Sequence, residues 1–79
     1  MTIHPLDVVV LTRDIPDHGL LIGDLGAVVD ITSPDMIDVE FVAASGRTQA
    51  LVTLQPSDLR NVADDDLLAV RRLERPRDL

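Results

Sequence analysis

The chain has 79 residues, 46% of them apolar, a single aromatic residue, no cysteine and a net charge of −7. A chain this short makes one domain and buries only about 60% of the surface its unfolded form exposes. The core must be aliphatic and β-branched, which favours strands, and no disulfide supports it.

Residues 1–5 read as an N-terminal tail, and Leu6 to Thr12 is a β-branched run after Pro5, a residue suited to a strand's first position. Arg13 to Asp24 reads as a long loop, with turn formers in Ile15-Pro16-Asp17-His18-Gly19 and Gly23-Asp24. Gly26 to Thr32 is a second strand, with Ala27, Val29 and Ile31 expected on its core face. Ser33-Pro34-Asp35 closes it. Ile37 to Val42 alternates cleanly, with Ile37, Val39 and Phe41 inward and Asp38 and Glu40 outward, as in a half-buried antiparallel strand. Ser45-Gly46 turns into a fourth strand, Thr48 to Leu54, whose Ala50, Val52 and Leu54 should face the core. Gln55 to Leu59 suits one tight helical turn, and Arg60 to Val62 a short closing strand. Residues 63–75 are expected as a C-terminal helix. Asp64-Asp65-Asp66 would cap it, Leu67, Val70 and Leu73 would share a face, and Arg71, Arg72 and Arg75 would lie near its end. Pro76 stops it, leaving 76–79 as a tail.

Connections this short cannot carry parallel crossovers, so the expectation is a mainly β fold: a small antiparallel barrel of about five strands, with residues 6–62 in the barrel. On this reading Val9, Leu11, Val28 and Leu51 fall on the faces opposite the core and form an apolar surface unless something covers them.

The segments Asp7-Val8-Val9-Val10-Leu11, Ile15-Pro16-Asp17-His18-Gly19-Leu20 and Gly23-Asp24-Leu25-Gly26-Ala27-Val28-Val29 form a series, continued by Val39-Glu40-Phe41, Val52-Thr53-Leu54 and Asp58-Leu59. Together they resemble a family of short bacterial proteins, domain of unknown function 4926. The resemblance covers about residues 6–62 and implies an SH3-like barrel. It implies no activity, so it carries no functional residue across.

Charge is unevenly placed. Residues 1–70 hold twelve acids against Arg13, Arg47 and Arg60, a balance of −9, whereas residues 71–79 hold four arginines against Glu74 and Asp78. An acidic body repels phosphate backbones and favours basic partners. The Gly23-x-x-Gly26 segment also resembles a motif of RNA-binding ribosomal barrels. Those modules use basic loops, whereas this loop sets Asp14, Asp17 and Asp24 against Arg13 and offers no aromatic set for base stacking. Gly23 and Gly26 are better explained by positive φ or close packing than by phosphate binding.

Catalysis requires a nucleophile with a positioned base, or paired carboxylates in a cleft. With no Cys, Lys or Tyr, the chain is expected not to be an enzyme. His4, Asp7, Asp14, Asp17 and His18 are metal-ligand types, but they lie on a tail and a loop and are not expected to converge. Asp64-Asp65-Asp66 lacks the glycine and distal glutamate of a calcium loop. No cofactor, metal, nucleic acid or membrane is expected as a ligand. The start, Met1-Thr2-Ile3-His4-Pro5, has no signal-peptide pattern, and a cytoplasmic location is expected. What remains is a non-enzymatic protein-binding module whose Asp14, Asp17, Asp24, Asp38 and Glu40 face a basic partner, in concrete form an antitoxin or immunity protein. The alternative is an accessory subunit of a larger enzyme, docked through the apolar face and Leu67–Leu73. Self-association through an open edge is a third possibility.

Overall fold

The computed structural model describes residues 2–73. Its five strands are β1 (Val8–Leu11), β2 (Leu25–Ser33), β3 (Met36–Val42), β4 (Thr48–Leu54) and β5 (Leu59–Asn61). They form one antiparallel sheet in the order β4-β3-β2-β1-β5. Two single 3-10 turns interrupt the connections, Pro16–His18 in the long loop and Pro56–Asp58 between β4 and β5. Each starts with proline, whose fixed φ and missing N–H suit the first position of a helical turn.

The sheet does not close into the expected barrel. Among the described residues β4 pairs only with β3, and β5 only with β1. With three residues, β5 is too short to supply a closing ladder. Side chains close the fold instead: Ala50 and Leu54 of β4 meet Leu59 of β5 in one cluster with Val9, Leu11, Val28, Ile37, Val39 and Phe41. Ile15 and Leu20 of the long loop join that cluster, and Ile3 packs on its margin.

The alternation read for β3 and β4 holds; in β1 the residues read as outward are buried, and in β2 the reading fails at Val28 and Val29 but holds at Ile31, which packs against the core. Val9, Leu11 and Val28 are core residues, whereas Val29 is 51% exposed. Within β2, a register shift lies between Val28 and Asp30. The extra residue of a bulge lets Val28 and Ile31 both turn inward, a spacing that strict alternation forbids. Gly26 lies on the same inward face, and an added Cβ would sit 2.5 Å from Val39 Cγ1 and 2.8 Å from Phe41 Cε2. Glycine here makes room for the one aromatic ring. Gly23 has φ +93°, so the expectation of positive φ or close packing holds at both glycines.

The expected C-terminal helix is absent over residues 63–73; Glu74, Arg75 and the expected tail lie outside the described residues. Its cap is used otherwise. Asp66 folds back to accept the Ala63 N–H at 2.7 Å and receives both Nη1 and Nη2 of Arg60, at 2.8 and 2.9 Å. An isolated helix of about a dozen residues is marginal without a packed face, and Leu67 and Val70 are 95% and 98% exposed. The segment instead crosses the outward face of β1, where Val10 is buried beside a cleft shared with Leu67, Leu68 and Ala69.

Candidate functional site

The five acids nominated from sequence fall into two groups, and no hydrogen bond or ion pair joins the groups among the described residues. The first belongs to the long loop between β1 and β2. Asp14 Oδ1 accepts the Ile22 N–H at 2.7 Å, and Asp24 Oδ2 accepts the Leu21 N–H at 2.8 Å. Two carboxylates thus hold adjacent backbone amides, and the bridge Ile15↔Leu20 pins the loop's stem. Asp17 stands apart, exposed on the first 3-10 turn.

Asp24 is paired within the chain. Arg71 Nε donates to its Oδ1 at 2.7 Å and Nη2 to its Oδ2, while Nη2 also donates to the Gly19 carbonyl at 3.0 Å. Burial alone would push the Asp24 carboxyl up. The Arg71 and Leu21 donors outweigh it and hold the group below the usual carboxylate range. Arg71 lies 47 positions away in sequence, and no local pattern signals that contact. Behind the loop, Arg13 Nε donates to Asp58 Oδ1 at 2.7 Å, tying the loop to the second 3-10 turn. That bond holds the Asp58 carboxyl below its ordinary value, against the upward push of burial.

The second group lies on the outward face of β3. Thr53 Oγ1 donates to Asp38 Oδ1 and Thr48 Oγ1 to Glu40 Oε2, both at 2.6 Å, so each carboxylate is oriented by a hydroxyl from β4. Sequence reading missed a third member. Asp30 of β2 is register-opposite Asp38, placed there by the bulge. Like charges facing each other across strands are destabilising, and no described cation lies within ion-pair distance of Asp30, Asp38 or Glu40; the described arginine–carboxylate pairs are Arg13–Asp58, Arg60–Asp66 and Arg71–Asp24. The face is a set of oriented carboxylates that no described cation pairs, an arrangement able to receive a cationic surface.

Among the described residues no group of three or more His, Cys, Asp or Glu side chains gathers at metal-binding spacing, and no helix is long and apolar enough to cross a membrane. His4, whose Nδ1 lies 3.6 Å from Asp7 Oδ2, borders with Asp7 an open groove of about 410 Å³ also lined by Thr2, Val8, Asn61 and Val62. In that region Asn61 Nδ2 donates to the Thr2 carbonyl at 2.9 Å, while its Oδ1 is buried without a partner.

Residues 6–61 match the model of the family described as Domain of unknown function (DUF4926), and the chain belongs to that family. No curated protein and no solved structure matches it.

Proposed function

We propose that the chain is a non-enzymatic protein-binding module that docks an acidic face onto a basic partner. The observation that carries this reading is the juxtaposition of Asp30 and Asp38 across β2 and β3, beside Glu40, with no described cation paired to them. An arrangement that costs folding stability and leaves three oriented carboxylates outward is what electrostatic docking requires. Such complementarity speeds encounter more than it adds affinity. In its concrete form the partner is a toxin whose cationic site this chain masks, which makes it an antitoxin or immunity protein acting in a bacterial cytoplasm. The strand order and the 3-10 turn between β4 and β5 support an SH3-like arrangement left open along that seam.

A second reading, an accessory subunit of a larger enzyme, is favoured by one feature. Leu67 and Val70 project almost entirely into solvent from the segment after β5. An interface built on them is apolar and resists salt, whereas the acidic face is screened over about 10 Å at 0.1 M ionic strength. Affinity capture of the tagged chain from its native lysate, at low and at high salt, separates the two. The docking reading predicts one stoichiometric basic partner that salt releases. A salt-resistant partner belonging to a metabolic enzyme overturns it in favour of the accessory subunit.

A further inference from the structure

We propose that the β1–β2 loop forms a guanidinium-binding notch, occupied in cis by Arg71, which an arginine side chain of the docking partner takes over. The inference rests on the reading of the chain as an acidic module for a basic partner, and it names the chemical group recognised and the internal competitor for it.

The acceptors of the notch are held by contacts within the loop itself. Asp24 is oriented by the Leu21 N–H, and Asp14 by the Ile22 N–H. Gly19, at φ +68°, closes the first 3-10 turn with its N–H on the Pro16 carbonyl, which leaves its own carbonyl directed at the guanidinium. Two carboxylate oxygens and one carbonyl thus face a planar fork of three N–H bonds. That geometry fits arginine and not the compact ammonium of lysine. The resident side chain demonstrates the fit, because Arg71 meets all three acceptors at once.

Exchange requires solvent to reach the pair, and it does. The Arg71 and Asp24 side chains remain 31% and 17% accessible, and ion pairs that reach solvent contribute little net stability. The segment that delivers Arg71 has no regular secondary structure, and Leu67 and Val70 along it touch almost nothing. A tethered side chain competes through effective concentration rather than intrinsic affinity. The partner's arginine therefore meets a site already shaped for it but partly blocked.

The test uses the full chain, with hexa-arginine and hexa-lysine as probes, followed through backbone amide shifts in the wild type, Arg71→Ala and Arg71→Ala/Asp24→Asn. Arg71→Ala should take up hexa-arginine at a concentration about tenfold lower than the wild type, with shifts centred on Gly19, Leu21 and Asp24. Hexa-lysine should bind the same variant more weakly, and Asp24→Asn should abolish the gain. Because Arg71 is exposed and its loss leaves the core intact, the amide spectrum itself verifies folding. Equal uptake by wild type and Arg71→Ala, or shifts confined to Asp30, Asp38 and Glu40, overturns the notch. Salt-resistant partner capture alongside a positive notch titration would remove the docking reading and leave the notch. Salt-released capture with a negative titration would do the reverse.

Discussion

Gly26 is closely packed, since Val39 and the Phe41 ring lie where any larger residue at position 26 would place its first carbon. Gly26→Ala must move Val39 or the ring within a core that has no other aromatic side chain, and overpacking of this kind costs about 1–3 kcal/mol. For a domain of this size that is a large share of total stability. Urea unfolding should show a clearly lowered midpoint with an unchanged slope, and an unchanged midpoint would mean that β2 adjusts freely. Asp66 gives the residue-scale dependence on pH. Two Arg60 bonds and the Ala63 N–H hold its carboxyl down to about 2. A carboxyl whose pKa is lower folded than unfolded stabilises the fold fully above the unfolded value, near pH 4, and loses that contribution as pH falls through the folded value. Asp24 and Asp58 are shifted the same way. The turn at Ala63–Asp66 should therefore loosen between about pH 4 and pH 2. A carboxyl titration followed by NMR should place the Asp66 midpoint about 2, and an ordinary midpoint near 4 would show that Arg60 does not hold it in solution.

The strands show where sequence patterns carry structural information and where they do not. In β3 an aliphatic or aromatic residue alternates with an acid, so only one face can be buried, and Ile37, Val39 and Phe41 are read correctly as core. In β1 and β2 consecutive valines make both faces plausible, and the pattern says nothing about which is chosen. In β2 the bulge after Val28, visible only in the pairing with β3, changes the phase between Val28 and Ile31; in β1 both faces are buried, at Val9, Val10 and Leu11. Substitutions can measure that choice directly. Val28→Ala empties a fully buried site and should cost about 2 kcal/mol, whereas Val29→Ala, on the exposed side, should stay within about 0.5 kcal/mol. Equal costs would contradict the bulged register. The segment after β5 failed as a helix for a different reason. Its acids, apolar spacing and arginines obey every local rule, but Asp66 is taken by Arg60 and Arg71 by Asp24, contacts between elements that no local rule sees.

At the scale of the whole molecule, the separation of an acidic body from a basic end was legible in the residue order, and one consequence was hidden. The basic end does not simply extend from the body; through Arg71 it neutralises Asp24, one of the five acids nominated for a partner. Asp14 braces the loop, Asp17 stands exposed, and the β2–β3 face gathers Asp38, Glu40 and the unforeseen Asp30 with no described cation paired to them. Family membership adds a fold-level grouping over residues 6–61 and no chemistry, so the function proposed rests on that face. The measurement that tests it most directly is the salt dependence of binding to the captured partner, for the wild type and for Asp38→Asn/Glu40→Gln. The account predicts that the wild type weakens steeply with salt, that the double variant associates at least about tenfold more slowly at low salt, and that the two converge at high salt. Because the substitutions relieve the repulsion with Asp30, the variant should be no less stable than the wild type. Indistinguishable salt profiles for a folded double variant would contradict docking through this face.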